Sequence, residues 1–272
     1  MRGSDILKNS IADSITPNPG RIYDYILGGG HNFEVDRIAA ERLRKIMPYG
    51  PKYARLQRWS LSTISEELAQ KRGFDVIIDF ASGLPTNDHI HFLVPSEKTI
   101  IYSDIDQVAI EYAQEILKDT SNARIFKSNA GHPNELLNNP DVQKMLNGRR
   151  KVAFVYWGVS GFLSDEEIRN AARELYDWAA PGSCLAFNSQ TLDREHPSVK
   201  QMVEIYKSIG TTIYPRMPED HLALLEPWQI EGDGFTPLIK WHGFKESEFA
   251  GEDASAFGPS YGGHGAYFIK DL

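Results

Sequence analysis

In 272 residues there is one cysteine, Cys184. A lone thiol excludes an intramolecular disulfide framework and a cysteine-rich metal site. Its setting, Cys184-Leu185-Ala186-Phe187, marks it as a small buried hydrophobe. No apolar run approaches the ~18 residues that a membrane-spanning helix needs. The first residues, Met1-Arg2-Gly3-Ser4-Asp5, lack the apolar core of a signal peptide, so a cytoplasmic location is expected. Basic residues are in the minority: 29 Lys and Arg against 37 Asp and Glu leave a net charge of −8. That balance speaks against a nucleic-acid partner, because a polyanion is held by a basic surface that releases counterions. Repeats and low-complexity tracts are missing too. His89 and His91 form H-x-H, but no cysteine or acid pattern completes a site around them, and no metal is expected. What remains is the composition of an ordinary globular protein, 41% hydrophobic and 24% charged, long enough for one large α/β domain or two small ones.

The most informative stretch is Val76-Ile77-Ile78-Asp79-Phe80-Ala81-Ser82-Gly83-Leu84-Pro85-Thr86, followed by Thr99-Ile100-Ile101-Tyr102-Ser103-Asp104. An apolar run ends in a carboxylate and a tight glycine turn. A second apolar run ends in another carboxylate, 21 residues beyond Gly83. This is the layout of a nucleoside-binding half of a doubly wound sheet, with Asp104 placed for a ribose hydroxyl pair. A dinucleotide fingerprint would need three glycines, so that backbone N–H groups approach a pyrophosphate. Ala81 and Pro85 stand at the outer two positions, and proline has no N–H. A loop of this kind suits a nucleoside without phosphates, of which S-adenosylmethionine is the commonest on such folds, and disfavours an NAD-linked oxidoreductase.

Elements alternate on either side of this stretch. Residues 1–72 read as a helical cap: a turn at Thr16–Gly20, a short amphipathic piece from Arg21 to Leu27, the break Gly28-Gly29-Gly30, then two helices. Asn32 is the expected cap of the first, with Phe33, Ile38, Leu43 and Ile46 as its apolar positions. The second, Tyr53–Arg72, carries Leu56, Trp59, Leu61, Ile64 and Leu68. From residue 73 onward, strands at 76–80, 99–103, 124–127, 152–157 and 183–188 are separated by helical stretches, among them one near Asn87–Leu93. The clearest helix starts at Ser164, where Ser164 and Glu167 form a capping box. Helix Pro197–Ser208 follows. Leu238–His242 and Ala266–Ile269 read as closing strands, at least one of them antiparallel. The expected architecture is a doubly wound, mainly parallel, seven-stranded sheet with an N-terminal helical cap (1–72) on a core (73–272), one cooperative unit.

Five parallel strands, a single-glycine loop and a late antiparallel pair resemble a class I methyltransferase. The segment Pro19-Gly20-Arg21-Ile22-Tyr23-Asp24-Tyr25-Ile26-Leu27-Gly28-Gly29-Gly30-His31-Asn32-Phe33-Glu34-Val35-Asp36-Arg37 looks more specifically like the N-terminal signature of a bacterial family of S-adenosyl methyltransferases, P-x-R-x-Y-D-Y-L-L-G-G-x-x-N-F-x-x-D-R. Asp79–Thr86, Tyr102–Asp106, Ala180–Ser183 and Tyr261-Gly262-Gly263 resemble its later blocks. Ala81 departs from the family's glycine, and Asn129 stands where class I enzymes commonly carry an acid near the adenine amine. The resemblance implies S-adenosylmethionine as cofactor and leaves the methyl acceptor open.

The residues then sort by chemistry. Asp79, Ala81, Ser82, Gly83, Pro85 and Thr86 form the cofactor loop, and Asp79 either meets the ligand or holds the turn. Asp104 takes the ribose. Ile105 packs on adenine, and Asp106 either joins it or caps the next helix. Asn129 either offers its amide oxygen to the adenine amine or is an ordinary loop residue, and Ala130 beside it is counted with the cofactor site. Trp157 and Gly158 follow the fourth strand, where an aromatic face either stabilises a sulfonium or is simply core. Tyr25, Asn32 and Arg37 belong to a block that is either a lid over the ligand or scaffold. His31 and Tyr156 are the candidate catalytic groups. Pro215–Pro218 and Trp228 are placed on the acceptor side. The acceptor is expected to be a small molecule, with no nucleic acid, no membrane and an open oligomeric state. The rival reading from another class is a non-catalytic nucleoside-binding protein on the same fold.

Overall fold

The computed structural model describes residues 15–86, 89–245, 254–257 and 262–271. Three helices come first. In α1 (Pro19–Ile26), Asn18 caps the start by accepting from the Gly20 N–H at 2.8 Å. In α2 (Glu34–Ile46) the cap differs from expectation: Phe33 holds the cap position, and the Asp36 carboxylate accepts its N–H at 2.8 Å. Asn32 instead donates to Asp24 at 2.8 Å. The buried face of α2 is Asp36, Ala39, Ala40 and Leu43, and Ile38 points outward. The third helix, α3 (Gly50–Ser65), continues into a wider π-wound turn, Glu66–Lys71. Trp59, expected on its apolar face, is half exposed.

The α/β body then runs β1 (Val76–Phe80), α4 (Ile90–Leu93), β2 (Thr99–Asp104), α5 (Gln107–Ile116), β3 (Ala123–Lys127), α6 (Asn134–Leu137), α7 (Pro140–Leu146), β4 (Ala153–Tyr156) and α8 (Asp165–Trp178). It closes with β5 (Cys184–Ser189), α9 (Pro197–Ser208), α10 (Pro218–Leu222), β6 (Gln229–Ile230), β7 (Thr236–Pro237), α11 (Leu238–Trp241) and β8 (His264–Ile269). Ser164 caps α8 as its sequence requires, its hydroxyl accepting from the Glu167 N–H while Glu167 accepts from the Ser164 N–H at 2.8 Å. The order β3-β2-β1-β4-β5-β8-β6 has five parallel strands, with β8 antiparallel to β5 and with β6 and β7 antiparallel to β8.

The sheet therefore has eight strands, not seven, because two two-residue strands pair with β8. Leu238–His242 is not a strand. Leu238 and Ile239 are both fully buried as the helical turn α11 packed on α3, and a four-residue run with three apolar members is too short for periodicity to separate the two states.

Alternation sends successive strand residues to opposite faces. Ile77, Ile100, Tyr102 and Val155 share a core with Leu43, Tyr53, Leu61 and Ile64 of the N-terminal helices. Ile78, Phe80, Phe154 and Tyr156 pack with Ile168, Ala172 and Leu175 of α8. The chain moves outward from β1 through β2 to β3, then returns to pair β4 beside β1. That reversal opens a crevice at the carboxyl ends of β1 and β4, where ligands bind in open sheets of this kind.

Candidate active site

A cavity of about 750 Å³ occupies this crevice, inside the range of about 300–1,000 Å³ typical of small-molecule sites. Its floor is the turn after β1. Ser82 donates its N–H to the Ser103 carbonyl at 2.9 Å, and Gly83 donates to Asp104 Oδ2 at 2.9 Å. The other Asp104 oxygen accepts from the Asp106 N–H at 2.9 Å, so one carboxylate pins both loops. Ala81 and Gly83 take φ of 54° and 62°, a region glycine enters freely and alanine does not. A Cβ added at Gly83 would meet no atom within 4 Å, so the backbone there borders open space.

Two carboxylates open on this floor. Burial holds the Asp104 carboxyl above its ordinary value, against the N–H groups of Asp106 and Gly83. Burial pushes Asp79, 2% exposed, well above its ordinary value; the Arg58 guanidinium opposes this and the Asp104 charge adds to it. His89 Nδ1 accepts from the Ile90 N–H at 3.0 Å, which leaves the Nε2 proton for the Ser82 carbonyl at 3.3 Å. Ile105 stands on the rim, 61% exposed despite its apolar side chain.

The opposite wall comes from α3 and the turn after β4. Arg58 donates to Thr86 Oγ1 at 2.7 Å. Gln57 donates to the Tyr53 hydroxyl and to Asn188 Oδ1, each at 2.7 Å. Tyr53 donates to the Gln190 carbonyl at 2.9 Å, and burial keeps its hydroxyl protonated, well above the usual phenol value. The Gln190 amide donates to the Gly158 carbonyl at 3.0 Å and accepts from Gly161 N–H at 2.7 Å. Trp157 donates from Nε1 to the Gln57 carbonyl at 3.1 Å.

The roof is α1 and the glycine turn. Asp24 Oδ2 accepts from the His31 N–H and the Asn32 amide, both at 2.8 Å. A Cβ at position 29 would collide with that carboxylate, so any other residue there must displace Asp24 from the hydrogen bonds it accepts. The His31 ring lines the cavity and meets Tyr112 edge-on at 4.6 Å. Arg21, buried, donates to Asp36 at 3.0 Å and pairs with Asp106 at 3.3 Å, tying α1 to both α2 and the start of α5.

A family model for S-adenosyl methyltransferases matches residues 6–266. This chain belongs to that family. It is a methyltransferase whose methyl donor is S-adenosylmethionine, and neither the NAD-linked nor the non-catalytic reading is favoured. Among solved structures, the methyltransferase is similar to a candidate methyltransferase from Thermobifida fusca YX, at 25% identity and a TM-score of 0.81, covering 94% of this chain and 96% of that one. It is similar also to a DUF574 family protein from Streptomyces avermitilis MA-4680, at 22% identity and a TM-score of 0.82, covering 95% and 99%. Magnesium protoporphyrin IX methyltransferase from Synechocystis PCC 6803, solved with S-adenosylhomocysteine, shares the fold at 13% identity and a TM-score of 0.52, covering 92% and 93%. No curated protein matches the sequence.

Of the residues selected from the sequence, the methyltransferase brings His31, Asp79, Ala81, Ser82, Gly83, Thr86, Asp104, Ile105, Trp157 and Gly158 to the cavity wall. The others lie off it. Tyr156 is on the α8 face of β4, one residue out of phase with Trp157, and donates to the Ala130 carbonyl at 2.7 Å. Asn129 turns its oxygen to the Gly131 N–H at 2.9 Å, so Asn129 and Ala130 serve their own loop. Asp106 caps α5 and pairs with Arg21. Tyr25 donates to Glu41, Arg37 pairs with Glu34, and Asn32 holds the glycine turn. Pro85 is absent from the wall although Leu84 and Thr86 belong to it. Arg216 is tied to Ser160, Leu163 and Asp165, and Trp228 donates to Ala172 under α8, so neither lines the acceptor side. Tyr261 and Asn87 lie outside the described residues.

The sequence reading missed Asp24, Gln57, Arg58, His89 and Gln190. Gln57 and Arg58 had a signal: they fall in the stripe Ala54, Leu61, Ile64 and Leu68 at helical spacing, and polar groups in a buried stripe need partners.

Proposed function

We propose that this methyltransferase acts on a small molecule that enters between the strand ends and the N-terminal helices. The observation that carries the reading is a pair of carboxylates, buried Asp79 and half-buried Asp104, opening with Gly83 onto one cavity. Two acids with raised proton affinity, held at the end of a doubly wound sheet, suit a ligand bearing a diol and an ammonium group. Asp104 takes the ribose hydroxyls, Asp79 faces the ammonium, Ile105 covers the adenine, and Trp157 with Gly158 borders the sulfonium. Bound there, S-adenosylmethionine supplies a methyl group activated by positive sulfur.

The protein's own part is positional. The acceptor atom must be held about 3–3.5 Å from the methyl carbon and in line with the departing sulfur. A base is needed only where the acceptor's proton leaves in the same step. His31 is the group proposed for that role; Tyr156 is withdrawn. Residues 1–72 act as a cap on the core 73–272, with the Gly28–Gly30 turn as its moving part and Arg21 anchoring the rest. Among the described residues no helix is long and apolar enough to cross a membrane. The single cysteine supports a cytoplasmic setting and the net charge of −8 supports a partner other than nucleic acid.

Calorimetry with S-adenosylmethionine, S-adenosylhomocysteine and NAD tests the cofactor site: the first two are expected to bind, and binding of NAD alone overturns it. Hydrogen exchange tests the cap. Residues 24–32 should gain protection on adding S-adenosylhomocysteine, while α8 does not change; equal protection with and without ligand leaves the turn as scaffold and removes His31 from consideration.

A further inference from the structure

The cavity extends beyond the cofactor floor into a compartment of different chemistry. It is walled by Leu43 of α2 and Met47 just past its end, Met202 and Tyr206 of α9, and Ile213 and Phe257. Rings meet closely here: Tyr53 and Phe257 lie 4.7 Å apart, centroid to centroid. The two methionines are unbranched and adjust to an irregular apolar guest. Among the described residues lining this side, the charged one is Arg44, which is exposed and donates to Glu41 at 2.8 Å. A cationic guest would therefore lose its hydration without gaining a partner, and an anionic one would meet only a guanidinium already paired at the surface.

One polar edge separates this compartment from the cofactor floor. Gln57, 3% exposed, spends its amide nitrogen on Tyr53 and Asn188. Its carbonyl oxygen lies 4.0 Å from where a Cβ of Gly158 would sit, beside the turn that borders the reacting end. That oxygen is an acceptor on a residue of the cavity wall.

We propose that this compartment binds the methyl acceptor, and that the acceptor is an uncharged aromatic compound carrying a hydroxyl, with its rings among the apolar side chains and its O–H donated to Gln57 Oε1. The proposal rests on the methyltransferase reading of the same cavity. In the transfer, the hydroxyl oxygen forms a bond to the methyl carbon as the carbon–sulfur bond breaks. The electron pair stays on sulfur, which becomes neutral, and the hydroxyl proton passes to His31, the base proposed above on the same cavity wall.

The test uses the full chain saturated with S-adenosylhomocysteine and three probes of one ring system: 2-naphthol, 2-naphthoate and 2-methoxynaphthalene. Calorimetry should show 2-naphthol binding together with S-adenosylhomocysteine, and at least tenfold tighter than either other probe. Met202→Asp should weaken 2-naphthol at least tenfold while S-adenosylhomocysteine affinity stays within twofold. Gln57→Leu should erase the preference for 2-naphthol over its methyl ether, with a thermal melt showing each variant folded. Three results overturn the proposal with wild-type protein alone: 2-naphthol fails to bind, it displaces S-adenosylhomocysteine, or 2-naphthoate binds as tightly. Failure of S-adenosylhomocysteine itself to bind would instead overturn the underlying cofactor reading.

Discussion

Replacing Asp104 by asparagine keeps the side-chain volume and removes the charge and one acceptor oxygen. In the native protein each carboxylate oxygen already accepts a backbone N–H at 2.9 Å, from Gly83 and from Asp106. An ionised oxygen has lone-pair capacity left for a ribose hydroxyl; an amide nitrogen has none. Donor affinity should therefore fall by about 1.5–3 kcal/mol, the range for hydrogen bonds to a charged group, or roughly 10- to 150-fold. Stability should move far less. One backbone bond worth about 1 kcal/mol is lost, while the cost of burying a carboxylate goes with it. Because burial raises the Asp104 proton affinity, the ionised form disappears at a higher pH than for an ordinary carboxylate. Wild-type donor affinity should fall as pH drops through that raised value, and the asparagine variant should lack this dependence. Calorimetry with S-adenosylhomocysteine, run beside thermal melts, reads both effects. A variant that melts like wild type and binds with unchanged affinity would refute the assignment of Asp104 to the ribose.

Gly83→Val should abolish donor binding while lowering stability only by the strain of a positive φ, about 1–3 kcal/mol, because its added atoms enter open cavity space; a folded variant that still binds would place the turn away from the ligand. Ala81→Gly should raise stability by about 0.5–1 kcal/mol, the relief of a φ of 54° less the entropy that glycine adds to the unfolded chain, read as a melting point up by about 1–3 °C. Burial depresses His91 and His221 to about 4, so between pH 6.5 and about 4 the unfolded chain binds more protons and stability falls as pH falls. At about 1.4 kcal/mol per unit, His221→Phe should recover up to about 3 kcal/mol of that acid loss in melts against pH; an unchanged slope would mean that His221 is not held neutral.

How much of this was legible in the sequence depended on whether one local pattern carried the information. The β1–Gly83–β2–Asp104 unit reads directly, since strand, turn and acid lie within a single stretch of chain. The α8 capping box is equally local. Tyr156 and Trp157 show where legibility stops: alternation says that they face opposite ways, but which face carries the cavity depends on where the N-terminal helices dock. The two-residue strands β6 and β7 exist only because β8 offers them an edge, and nothing in Gln229-Ile230 or Thr236-Pro237 encodes that partner. Asn129 shows the complementary limit. Its oxygen takes the nearer donor, the Gly131 N–H two residues on, in a local Asx turn that lies off the cavity wall.

Arg21 joins α1 to Asp106, and the N–H of Asp106 is held by Asp104. The residue proposed for the ribose is thus two links from α1, part of the roof over the cavity. Anything that fixes the geometry of one end biases the other, so donor and acceptor affinities are expected to be coupled. Linkage makes the dependence mutual. Whatever factor the donor contributes to acceptor affinity, the acceptor must return to the donor, and substituting Arg21 should uncouple the two without touching either ligand.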